Sequence, residues 1–158
     1  MALKDKYENY KQRKEAQRYF RSNNDQFLDS SQWMKVILYG LLASIGIGVV
    51  LGLVIYYAPI TSLWFYIITG YLVAMAITKA SGVQCQQAGY ASVVFTFLSY
   101  VFSIMTMYVL GYASIGFNIG LTGIISLIWP SIKYMFTSSI ISIILMIVGL
   151  YEAYMVSK

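Results

Sequence analysis

The sequence predicts an all-α, polytopic membrane protein: a bundle of four transmembrane helices plus a re-entrant or interfacial segment, preceded by a charged cytoplasmic helix. Three observations predict it. Between Val36 and Val156 the only charged residues are Lys79, Lys133 and Glu152, whereas a soluble domain carries roughly a quarter charged residues along its whole length. Twelve of the seventeen charges fall before Trp33. The remainder divides into apolar runs of about twenty residues, the length that crosses a hydrocarbon core as helix. The chain therefore has two parts, a head over 1–33 and a transmembrane domain over 34–158.

The head holds seven basic residues (Lys4, Lys6, Lys11, Arg13, Lys14, Arg18, Arg21) and five acidic ones (Asp5, Glu8, Glu15, Asp25, Asp29). Basic segments next to a first span resist translocation, which places the N-terminus in the cytoplasm of a cell-membrane protein. Nearly half of the head's charges are acidic, a poor match to nucleic acid. Good helix formers without Gly or Pro predict a helix over Lys4–Arg21. Its tyrosines and basic side chains suit either an anionic lipid surface or solvent. The first apolar run reads as an uncleaved signal anchor, because the head exceeds a normal signal n-region.

Ser30 and Ser31 offer N-caps for the first span, about Lys35 to Tyr57, with Trp33 at headgroup depth. Pro59 ends it and makes the connection to the next span short. Span two covers about 62–78. The polar stretch Lys79–Ala88, containing Cys85 and three glutamines, reads as a cytoplasmic loop. Span three covers about 89–112 and the last span about 137–156. The intervening 115–135 has an apolar core of about fourteen residues interrupted by Gly120, Gly123 and Pro130, which suits a re-entrant or interfacial segment. A fifth full span is the alternative, and it would move the C-terminus across the membrane. One stray lysine lies outside in either topology, so positive-inside counting does not separate them.

The sharpest pattern is Gly40, Ser44, Gly48 and Gly52, a small residue at every fourth position of span one. Gly70, Ala74 and Thr78 repeat it in span two. Such stripes let helix backbones approach in lipid, where no hydrophobic force joins helices. They predict a helix-packing interface, either within the first hairpin or between subunits, and Gly46 leaves a second flat face on span one. Asn118 and Glu152 are the candidates for a polar membrane site. Glu152 also suits an interfacial anchor, near Lys158.

Enzyme chemistry lacks parts. The chain has no histidine and one cysteine, too few ligands for a structural zinc site, which takes about four. Paired membrane carboxylates, a phosphate loop and a dinucleotide fingerprint are missing, so no cofactor is expected. Most tyrosines lie near span ends, as an aromatic belt requires.

Two stretches resemble small bacterial four-span membrane proteins of unknown function, some of which carry an N-terminal zinc ribbon. One is Gly70-Tyr71-Leu72-Val73-Ala74-Met75-Ala76-Ile77-Thr78-Lys79-Ala80-Ser81-Gly82; the other is Gly149-Leu150-Tyr151-Glu152-Ala153-Tyr154. This chain departs from that group in having no cysteine pair and few Lys or Arg after Gly82. The resemblance implies four spans with both ends inside, and no activity. The expected function is that of a non-enzymatic integral membrane protein, an oligomeric or accessory subunit whose partners are the bilayer and either a second copy or a larger membrane protein. A small oligomeric transporter or channel is the alternative.

Overall fold

The computed structural model describes residues 8, 10–12, 15, 27–58, 64–117 and 119–158, and among them every regular element is helical. Glu8, Tyr10, Lys11, Gln12 and Glu15 are helical and exposed. The expected helix over Lys4–Arg21 otherwise lies outside the described residues, as do Pro59 and Asn118. Six helices follow: α1 Ser30–Tyr57, α2 Phe65–Ser81, α3 Gln86–Ser114, α4 Leu121–Ser126, α5 Ile128–Thr137 and α6 Ile140–Ser157. Three of them, α1, α3 and α6, are long and apolar enough to cross a membrane, and α2 is a shorter apolar helix of 17 residues. The chain is a membrane protein by this criterion.

Local chemistry sets the helix ends. Asp29, rather than Ser30 or Ser31, caps α1. Its carboxylate accepts the Ser30 N–H at 3.0 Å, while the Gln32 side chain accepts the Asp29 N–H at 2.8 Å. This reciprocal box satisfies donors that a serine alone would leave to water, so α1 begins several residues before the apolar run. At the other side, α2 runs through Lys79 to Ser81 and stops where Gly82 adopts φ +70°. That left-handed conformation costs glycine little, and it is the usual end of a helix. The expected loop 79–88 is therefore a turn over 82–85. Gly116, at φ +78°, ends α3 in the same way. The segment 115–135, expected to be re-entrant or interfacial with a fifth span as the alternative, is broken into α4 and α5, of 6 and 10 residues. Pro130 sits in the first turn of α5, where its missing N–H has no intrahelical partner to lose.

The bundle consists of two parallel pairs, α1 with α3 and α2 with α6, and the pairs run antiparallel to each other. Hydrogen bonds gather one end. The Leu28 N–H donates to Gln87 Oε1 at 2.9 Å, and the Cys85 N–H to the Ser157 carbonyl at 3.1 Å. The start of α1, the α2–α3 turn and the end of α6 thus share a side, the base of the bundle. Near the base Val36, Val73, Ile77, Cys85, Ala88 and Phe95 form one apolar cluster. Farther up, Leu51, Tyr66, Tyr100, Ile104, Leu127, Met135 and Met146 form the second. Leu127 and Met135 thereby dock α5 against the far half of the bundle, where the Tyr108 and Tyr134 rings meet edge to face at 6.1 Å. Trp129 and Phe136 on α5 stay 75% and 70% exposed, as the side chains of a helix lying at an interface would be.

Candidate functional site

The every-fourth small residues of α1 face inward. Gly40, Ser44, Gly48 and Gly52 are buried together with Val36 and Leu51. A Cβ placed on Gly48 would lie 2.6 Å from the Ser99 carbonyl oxygen, and one on Gly40 would strike the Phe95 ring. At Gly52 the obstacles are the Ser103 carbonyl and Thr106. All of these partners lie on α3, so the α1 stripe is filled within the chain. It does not face the α2 stripe, as packing of the first hairpin would have required.

The α2 stripe meets α6 instead. Gly70 abuts the Gly149 backbone so closely that a Cβ on either would collide with the opposite carbonyl region. Ala74 and Ala153 are both fully buried. One more turn toward the base, Thr78 Oγ1 lies 3.4 Å from Ser157 Oγ. Gly70-Ala74-Thr78 and Gly149-Ala153-Ser157 thus run in register along two parallel helices. The close approach places dipolar backbones and small side chains in dispersion contact, the main attraction between helices in lipid.

α3 locks the two pairs together. Tyr100 is fully buried, and its hydroxyl donates to the Tyr66 carbonyl at 2.7 Å across the Gly149 surface. Its ring meets Tyr66 edge to face at 5.3 Å, a favourable arrangement of ring quadrupoles. Two turns nearer the base, the Ser92 hydroxyl donates to Ser157 Oγ at 2.5 Å, and Ser157 donates to the Ala74 carbonyl at 3.3 Å. Three helices are therefore joined at two heights, about 12 Å apart for eight helical residues. Between them Thr96 and Ser99, also fully buried, have hydroxyls with no hydrogen-bond partner among the described residues.

The other expected polar positions behave differently. Glu152 is half-buried on α6, one turn nearer the base than Gly149. Lys158, expected near it, lies instead over the Tyr154 ring at 5.5 Å. Asn118, the other candidate for a polar membrane site, lies outside the described residues. Cys85 lies in the α2–α3 turn, within the expected loop, but is buried: it is 2% exposed and its Sγ accepts the Ala88 N–H at 3.4 Å, capping α3. No cluster of three or more His, Cys, Asp or Glu occurs among the described residues.

Several members of this interface lay outside the sequence-based expectation: Gly149, Ala153 and Ser157 on α6, Tyr100 and Ser92 on α3, and Gly89, whose added Cβ would meet the Tyr154 ring at 2.8 Å. The α6 stripe has the same four-residue spacing as the others and was detectable. Tyr100 carried no signal, since it is one of fifteen tyrosines.

Comparison of the chain with protein-family models, curated proteins and solved structures gives no match.

Proposed function

We propose that this protein is a non-enzymatic, four-span subunit of a cell-membrane assembly, with both ends cytoplasmic, that associates with a second copy or a larger membrane protein. The inward stripes of α1, α2 and α6 are occupied inside the chain, so an assembly surface has to lie elsewhere. One observation carries the reading. On the outer face of α1, Leu42, Ile45, Val49 and Val50 are exposed around Gly46, and nothing approaches within 4 Å of a Cβ built there. A glycine costs a helix interior roughly 0.5–1 kcal/mol relative to alanine. Plain lipid contact gives no return for that cost, whereas a flat spot in an apolar face admits a partner helix. The scarcity of acid–base groups in the membrane region and the resemblance to four-span proteins support the rest.

Gly46→Trp tests the reading without disturbing the bundle, because the site is open. Purified in mild detergent, the native protein is expected to run as a fixed-stoichiometry assembly and the variant as a smaller particle with unchanged helicity. An identical particle size for both would remove the outer face of α1 as the assembly surface. A transporter or channel is the second reading, favoured by the buried hydroxyls of Ser92, Thr96, Ser99 and Ser103 along one face of α3. Ion flux from reconstituted vesicles that is lost in Thr96→Val would select it.

A further inference from the structure

Two of the four charged residues between Ser30 and Ser157, Lys35 and Lys79, come from different helices and line one groove. The groove lies between α1 and α2 near the base, has a volume of about 660 Å³, and is completed by Leu38, Tyr39, Ala76 and Ala80. Both lysines are exposed, and neither forms an ion pair with a described residue. Lys35 lies near the start of α1 and Lys79 in the last turn of α2. Leu38, Tyr39 and Ala76 sit about one turn deeper, because α1 ascends from the base and α2 descends toward it. The trough is thus cationic at its membrane edge and apolar within.

We infer that this groove is a binding site for an anionic glycerophospholipid. The phosphate would lie between the two ammonium groups and one acyl chain along Leu38 and Ala76. Charge complementarity selects this occupant. A single lysine at a helix end reaches the headgroup region unaided, but two converging on one apolar trough concentrate positive potential where lipid phosphates lie. A free phosphate ion would use the lysines and leave the apolar walls unemployed. The inference goes beyond the assembly proposed above and requires only that the helices lie in a bilayer.

The test is native mass spectrometry of the full chain in mild detergent, titrated with dioleoylphosphatidylglycerol or dioleoylphosphatidylcholine. The wild type is expected to prefer the glycerol lipid. Lys35→Gln and Lys79→Gln should each weaken that preference about fivefold, and the double variant about twenty-five-fold, at about 1 kcal/mol per lysine. Lys35→Arg/Lys79→Arg should keep it, and so should Lys133→Gln, whose lysine is on α5. All variants alter exposed side chains, and circular dichroism checks their helicity. Retention of the preference in the folded double Gln variant would overturn the assignment, as would an equal loss in Lys133→Gln. Displacement of the lipid by millimolar inorganic phosphate would also overturn it, by showing that the phosphate alone is recognised.

Discussion

At the scale of single residues, the glycines of this chain divide by what stands opposite them. A Cβ on Gly149 would lie 2.6 Å from the Tyr66 carbonyl oxygen and would also collide with the Tyr100 hydroxyl, while one on Gly46 meets nothing within 4 Å. Backbone cannot rotate aside as a flexible side chain can, so Gly149→Ala should destabilise by about 1–3 kcal/mol, the usual cost of overpacking. Gly46→Ala should be neutral or stabilising by up to about 1 kcal/mol, through helix propensity alone. Thermal unfolding in detergent measures both. Equal midpoints for the two variants would show that the α2–α6 approach is looser than drawn. Tyr100→Phe isolates one bond at the same junction. Loss of its hydroxyl should cost about 0.6 kcal/mol and no more than about 1.7, the average and maximum measured for hydrogen bonds between membrane helices. A midpoint unchanged from wild type would mean that the Tyr66 carbonyl gains nothing from this donor.

At the scale of elements, spacing was legible and pairing was not. A small residue every fourth position marks a flat stripe on a helix; α1 buries all four of its stripe and α2 buries Gly70 and Ala74. The stripe carries no information about which neighbour covers it, and both pair with a helix distant in sequence. Helix ends were half legible. Gly82 and Gly116 have the residue type for a left-handed stop, yet the apolar pattern alone placed the α2–α3 boundary too early, because Lys79 lies inside the helix. Cys85 lies in the expected loop, but its burial and its role as the cap of α3 were not legible, because capping by sulfur has no compositional signature. Its burial makes it a reporter for the base. In the native protein Cys85 should react with a maleimide only after denaturation. Removing residues 156–158 deletes the carbonyls that Gln84 and Cys85 bond, at 3.2 and 3.1 Å, and the Ser157 hydroxyl. That truncation should speed the reaction at least about tenfold, since about 1.4 kcal/mol of local opening suffices. An unaltered rate would place the α6 end outside the structure that protects Cys85.

At the scale of the whole molecule, the distribution of charge made the solvent of each part legible: seventeen charges, twelve of them before Trp33. The direction in which the chain crosses is carried by fewer groups. Leu28, Cys85 and Ser157 meet at one end, and the turn around Gly116 and Phe117 lies beyond the far end of α3. On the proposed four-span reading, the C-terminus returns to the side of the α1 start, and α4 and α5 lie on the opposite face. Single cysteines in a Cys85→Ser background, probed with an impermeant maleimide on intact cells, test that geometry most directly. A cysteine appended after Lys158 should stay unlabelled until the cells are permeabilised, whereas Phe117→Cys, at a position 66% exposed, should label at once. Immediate labelling of the appended cysteine, with Phe117→Cys also outside, would contradict the same-side arrangement.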